Sequence, residues 1–429
     1  MTTPRENRNV SSMIIKRLLF ICSILTAACL LISCPVENGK TAVLCTDHPE
    51  FTSYVESFNT SQDEYRLIIA YDENPGDDLQ TNGKCEYDLI IDSHLNSVRH
   101  LPDFISLEDF FDDEVLRRNM FYADLLEQGI YDEQQVLLPI SFNLPAIMFK
   151  SGLKLEDQDG FMLNMDQLAE LNREFSSRTE KGLTALGLSL RWNPEMLYVL
   201  TLLMDTGYRE SETGSLLWNS SGLKESVDYI RTWTREFNGG ITAEREFAQK
   251  FMVEPSYNLI ASGRILCYYR DLADFYSLPP QKREKLKILW PESDGQIPVL
   301  PEVLFAAIPE GARGTGAAKA FLTWFFKVKT QEELLASTQY KRLRTFGIAG
   351  GFSSMPVINE QVLPRYYPDL VGYIPGSEYL SFPPPLPPDW PQIKSDVLMP
   401  WLIEQADSDI TSELMRERLE VWMRQRPPK

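Results

Sequence analysis

The chain has 429 residues, a formal net charge of −19, a hydrophobic fraction of 43% and an aromatic fraction of 11%. Those fractions exclude a disordered or fibrous chain, and the length allows one large two-lobed body or two to three ordinary domains. The acidic balance repels phosphate backbones and anionic lipid, which argues against a nucleic-acid partner and against a protein lying flat on a membrane.

Residues 1–12 are polar, and Met13 reads as the true start. Lys16 and Arg17 form a basic n-region, and Leu18 to Ile32 is an apolar run of about 15 residues. That length fits a signal-peptide core and is short for a spanning helix. The run ends in Leu30-Leu31-Ile32-Ser33-Cys34, which resembles a bacterial lipobox. Ser33 stands where Gly or Ala is preferred, as in the relaxed form of spirochaete lipoproteins. The resemblance implies a signal peptide over 1–33, lipid on Cys34, a lipidated tether over 34–40 and membrane anchoring. An uncleaved anchor or plain secretion is the alternative. The chain from Cys34 onward keeps 38 basic and 60 acidic residues, a net charge of −22. It also keeps Cys45, Cys85 and Cys267, an odd number without a CxxC. The disulfide framework of a small secreted domain is therefore absent, and one pair or three buried thiols remain open.

Thr41 to Thr46 reads as a buried strand, and Pro49 opens a helix on which Phe51, Tyr54, Val55 and Phe58 share one face. Tyr65 to Tyr71 and Tyr87 to Ile91 are further strands. This order predicts a parallel α/β sheet, with ligands beyond the carboxyl ends of the strands, where Asp47, His48, Asp92 and Ser93 lie. Ile105 to Gly129 reads as an acidic helical stretch. The run 136–150 contains Pro139 and Pro145, so it is expected as a stiff extended connector, not a central ladder strand. Helices are predicted over 165–178, 195–204 and 223–237, and strands over 187–192 and 263–270. Val303 to Ile308 is a strand and Ala317 to Lys329 an apolar helix. The glycine-rich stretch 311–316 matches no phosphate-binding motif and reads as a turn. Residues 346–357 read as a glycine and serine-rich loop, and 381–391 as proline-rich coil packed over the body.

Three stretches in this order resemble the extracellular solute-binding proteins of ABC importers, the sugar and oligosaccharide branch. They are 138–150 (LPISFNLPAIMFK), 257–270 (YNLIASGRILCYYR) and 302–335, where Glu302 to Pro309 precedes Ala317 to Phe325 and the Thr330-Gln331 pair. In that family the helix ends near such a pair. The resemblance implies an α/β, two-lobe, periplasmic-binding-protein-like (type II) fold with hinge crossings. Lobe I would take 41–145 and 271–335, and lobe II 146–270 and 336–429. It implies no catalysis and no cofactor. The chain would be a monomeric receptor in the cell envelope, facing the periplasm or the exterior. It would bind a small solute, above all a sugar, and hand it to a membrane permease. A non-transport surface lipoprotein on the same fold, an adhesin or sensory receptor, is the alternative, followed by a glycan-acting enzyme.

Solute capture needs a cleft, orienting polar groups and aromatic faces. Trp192, ahead of Asn193-Pro194, is a stacking platform or a core residue. Tyr268 and Tyr269 point to opposite faces, so at most one lines the cleft. Arg270 contacts ligand or pairs with an acid such as Asp271. Asp47 contacts ligand or caps the helix at Pro49, and Asp92-Ser93 has the same two readings. Asn143 lies on the connector and Phe352 in the glycine-rich loop. The three histidines, His48, His94 and His100, lack metal-ligand spacing and are expected at the surface or in caps.

Overall fold

The computed structural model describes residues 39–76, 86–153, 160–408 and 413–425. The leader, Cys34 and Cys85 lie outside the described residues.

From the amino end come β1 (Thr41–Thr46), α1 (Glu50–Ser61), β2 (Arg66–Tyr71) and β3 (Leu89–Ser93). Strands β4 (Leu137–Phe142), β5 (Pro145–Lys150) and β6 (Met162–Asn164) lead into α2 (Met165–Phe175). Helices α3 (Pro194–Leu203), α4 (Ser220–Thr232) and α5 (Ile241–Phe251) follow. Then come β7 (Cys267–Asp271), β8 (Leu286–Glu292), β9 (Leu304–Ala307), α6 (Thr315–Phe325) and α7 (Val328–Lys341). The frame closes with the two-residue β10 (Phe352–Ser353), α8 (Met399–Ala406) and α9 (Met415–Gln425).

The strands form two main sheets. The first has six strands in the order β10-β4-β9-β3-β1-β2, and the second has four in the order β7-β5-β8-β6. Strand β1 pairs in parallel with β2 and β3, as the strand–helix–strand pattern predicts. The four apolar residues of α1 are buried. Phe51, Tyr54 and Phe58 meet Phe321, Trp324 and Phe325 of α6, with ring centroids 5.5–6.2 Å apart. That aromatic layer seals α1 and α6 together over the sheet. The turn before α6 is held by Asp88, whose carboxylate accepts from Arg313 N, Gly314 N and Val43 N at 2.7–2.9 Å. The chain's own carboxylate thus satisfies the amides that would otherwise invite an anion.

The chain passes between the sheets at Asn143-Leu144, where β4 belongs to the first sheet and β5 to the second. Neighbouring segments are stitched to this crossing: Leu272 N donates to Leu144 O (3.1 Å) and Leu300 N to Asn143 O (3.0 Å). Residues 138–150 are therefore a crossing, as expected, but they are also two ladder strands. Strand β4 sits between β9 and β10 despite Pro139. A register shift lets Phe305 face Pro139 while Leu304 faces Ser141, and β10 pairs only with Ser141 and Phe142. The missing N–H of Pro139 thus falls at an irregularity, one of the places where a sheet tolerates proline.

Other departures are local. Residues 105–129 form short helical turns at Asp109–Asp112, Arg118–Met120 and Ala123–Glu127. Residues 187–192 are not a strand: Leu186 bridges to Ile265 and a 3-10 turn follows at Leu190–Trp192. Helix α6 stops at Phe325, and Thr330-Gln331 lie in α7. Strand β8 lies in the second sheet, and β10 in the first with Phe346, Ile348 and Leu363 packed in the same core, where the sequence boundaries put each on the other side. Distant pairing, invisible to local periodicity, decides this membership. Residues 382–387 run as coil, with Pro383 O and Pro385 O accepting from Gln128 and Glu210, as expected for a proline-rich cover. Among the described residues no helix is long and apolar enough to cross a membrane.

Candidate functional site

The carboxyl ends of β1 and β3 open onto a cleft of about 220 Å³. Its near wall carries Asp47, Asp92, Ser93, His94 and His100, together with Glu73, Asn74 and Gly76 from the loop after β2. Its far wall is Pro388, Pro391 and Gln392, and Glu302 ahead of β9 closes one side. The far wall is anchored in the second core, where Trp390 is fully buried against Tyr208 (5.2 Å) and Tyr198 (6.0 Å). The cleft therefore lies between the bodies built on the two sheets.

Local bonds set the near wall. Asp92 accepts from Ser93 N (2.7 Å) and Gly76 N (3.3 Å), so one carboxylate ties the strand end to the loop after β2. Asp47 does not cap α1: Pro49 holds the cap position and no side chain bonds there. Its Oδ1 instead lies 3.3 Å from His48 Nε2. His94 and His100 are buried, 5% and 3% exposed, contrary to the surface placement expected of them. His94 adopts φ 60°, a left-handed turn immediately after β3. Burial pushes its pKa down to about 4, with Lys394 and His100 acting in the same direction and Glu302 against them. Its Nε2 is buried with no hydrogen-bond partner.

Lys394 sits across from this wall. Its Nζ is 3.0 Å from Glu195, 3.1 Å from Glu302 and 4.3 Å from the Tyr198 ring centroid. Burial works against its charge, yet the two carboxylates raise its pKa above the usual lysine range. Partial desolvation opposes the charge on Glu302, whose side chain is 46% exposed, and the adjacent Lys394 outweighs it to hold the carboxyl below its ordinary value. Further bonds cross between the bodies. Asn74 faces Gln392 (3.5 Å), and Glu210 accepts from Ser97 Oγ and Val98 N (both 2.9 Å). Arg99 Nη2 donates to Gly214 O (2.7 Å).

Asp47, Asp92 and Ser93 are thus brought together, with His48 beside Asp47. The remaining sequence candidates are elsewhere. Asn143 sits at the crossing, its Oδ1 accepting from Leu144 N (2.9 Å). Tyr268 and Tyr269 do point to opposite faces, into the first and second cores. Tyr269 is buried, and Tyr268 donates to Trp192 O (3.4 Å). Arg270 pairs with Asp274 (3.5 Å), one turn on, while Asp271 caps the following turn by accepting from Asp274 N (2.6 Å). Phe352 is 1% exposed among Phe142, Phe346 and Trp290, which places it in the core and not at an opening.

Trp192 stacks on Phe247 (5.4 Å, 17°) and lines a separate hollow of about 210 Å³ with Arg191, Glu244, Arg245 and Asp407. It is not a platform in the cleft. Cys45 and Cys267 are buried in different sheets, and burial pushes the Cys267 thiol up to about 12. Among the described residues no group of three or more His, Cys, Asp or Glu side chains is arranged to hold a metal ion.

Glu73, Asn74, His94, His100, Glu302, Gln392 and Lys394 were missed as site residues. The rule that found Asp47 and Asp92 reaches Glu73 and Asn74 too, because they follow the end of β2. Nothing local marks Gln392 or Lys394, which come from more than 300 positions further along the chain than Asn74.

No protein-family model and no curated protein matches this chain. Its fold does match solved structures. An ABC substrate-binding protein from Listeria monocytogenes, in complex with cycloalternan, superposes with a TM-score of 0.62 at 12% identity, covering 89% of this chain and 96% of that one. A sugar transporter from Rhizobium etli in an open conformation gives 0.61 at 12%, covering 89% and 98%. A cyclo/maltodextrin-binding protein complexed with maltotetraose gives 0.60 at 12%, covering 91% and 98%. The chain has the α/β two-lobe fold of these binding proteins.

Proposed function

We propose, with that two-lobe fold as the premise, that the chain is a lipid-anchored receptor that captures a small solute between its lobes and delivers it to a membrane permease. The solute is a sugar or a related polyhydroxylated molecule, a reading supported by the cycloalternan and maltotetraose complexes of the similar structures. One observation carries the proposal: the cleft lies at the carboxyl ends of two parallel strands and is walled on its far side by a segment rooted in the other body. A ligand there touches both lobes, so its binding energy can favour closure by hinge motion at the Asn143-Leu144 crossing. Asp47, Asp92, Ser93, His94, Glu302 and Gln392 are the proposed contacts, with His48 acting through Asp47. The lobes are taken to follow the two sheets, so β8 goes with the second and β10 with the first.

The test is a melting-temperature screen of the purified chain against sugars, polyols, amino acids and peptides. A ligand at 100 times its Kd stabilises by about 2.7 kcal/mol, which is a readable shift. Stabilisation by a sugar or polyol is expected, and a response confined to amino acids or peptides refutes the sugar reading. The anchor is tested separately. Cys34→Ala should move the protein from the membrane to the soluble fraction, and unchanged retention refutes lipid attachment at that residue.

A further inference from the structure

Among the described residues the cleft is lined by four carboxylates, Asp47, Glu73, Asp92 and Glu302, and by no Trp, Tyr or Phe. One ammonium group, Lys394, reaches Glu302, and it is shared with a second carboxylate, Glu195. The cation therefore has two anions of its own to satisfy and does not neutralise the rest of the wall. His94 does not neutralise it either, since burial keeps its ring uncharged at pH 7. His48 Nε2 lies 3.3 Å from Asp47. A neutral pyranose is normally held by aromatic faces against its C–H surfaces, and this wall has none to offer. What it offers is acceptors. Among the described residues, a buried His94 Nε2 with no hydrogen-bond partner lies beside carboxylates that outnumber the cations. An unmet buried nitrogen in a charged cleft is a cost that a ligand can remove.

We infer, resting on the reading of this cleft as the ligand site, that it selects a solute carrying a positive charge beside its hydroxyls: a sugar or polyol with a primary amine, in preference to a neutral oligosaccharide. The ammonium group takes the carboxylates through charge-assisted hydrogen bonds, roughly twice as strong as neutral ones. The hydroxyls take the remaining acceptors, Ser93 and Gln392. The same field attracts the cationic ligand from solution, more so at low salt.

The experiment titrates the full chain in detergent with glucosamine, glucose and N-acetylglucosamine, by calorimetry and thermal shift. Glucosamine should bind at least about tenfold more tightly than either neutral sugar, with the advantage shrinking toward 0.5 M NaCl as charges are screened. Glu73→Gln and Asp47→Asn should each weaken glucosamine several-fold and by a larger factor than glucose, so that the preference for the charged sugar shrinks; an unchanged preference in both variants counts against the inference. Neither side chain caps a helix, and having two variants guards against one misfolding. Equal or tighter binding of glucose or N-acetylglucosamine overturns the charge inference and leaves the receptor standing. Silence of all three sugars overturns the inference, while the sugar reading stands or falls on the melting-temperature screen against the wider set.

Discussion

His94 shows how a single side chain can report on the state of the cleft. Its ordinary value is 6.5 and its folded value is about 4. Above pH 6.5 the ring is neutral whether the chain is folded or not, so its contribution is fully present. As pH falls from 6.5 toward 4, the unfolded chain takes up a proton that the folded one refuses, and stability is lost. Below the folded value both states are charged and the loss levels off. The gap corresponds to a loss of about 3 kcal/mol. His94→Asn keeps a residue type that tolerates φ 60° and removes the titration. Urea midpoints of the variant should fall less than those of the parent over that interval. Parallel decline in the two proteins would remove His94 as the cause, since Glu302, Lys394 and His100 are common to both. The same scale explains two misplaced candidates. Trp192 and Phe352 are aromatic residues beside loops, and sequence cannot tell an exposed ring from one stacked on Phe247 or Phe142.

Gly187 shows why the expected strand over 187–192 does not form. A Cβ on Gly187 would lie 2.6 Å from the Cα of Asn172 in α2, so the chain runs against that helix. Asn172 is buried and accepts from Leu188 N (2.7 Å), while its amide donates to Asn238 (2.9 Å). Side-chain bonds to a helix thus replace the ladder bonds of a strand. Gly187→Ala should cost about 2 kcal/mol through overpacking against backbone, read as a lower urea midpoint at unchanged slope. A variant as stable as the parent would mean that the close approach is absent in solution. Elements set by their own periodicity were legible, as in α1, where four apolar residues at helical spacing are all buried. Elements set by a partner were not. Strand β4 accepts Pro139 because of an irregularity in its pairing with β9, a segment more than 160 residues away.

The bonds between the two bodies belong to the whole molecule. Glu210 holds Ser97 and Val98 at one rim of the cleft, while Lys394 holds Glu302 at another. These contacts favour the arrangement in which the two bodies touch over one in which they part, and affinity for a ligand held between them scales with the population of the touching form. Glu210→Ala should raise the radius of gyration measured by small-angle scattering. If closure loses about 1.4 kcal/mol, affinity for the ligand falls about tenfold. An unchanged scattering profile would show that the rim contacts do not hold the lobes together.

The sequence alone determined the α/β class, the parallel start of the first sheet, the crossing at 138–150, and the placing of Asp47, Asp92 and Ser93 at strand ends. The crossing came with the resemblance to the solute-binding proteins; the others follow from local alternation, helical spacing or the geometry of a strand end, which a short window of residues carries. Only the tertiary structure decided which strands share a sheet, that Trp192 and Phe352 lie outside the cleft, and that Lys394 stands opposite Glu302. Those facts depend on contacts between residues tens to hundreds of positions apart, and such contacts are set by competition for burial across the whole chain, which leaves no periodic mark in any one segment.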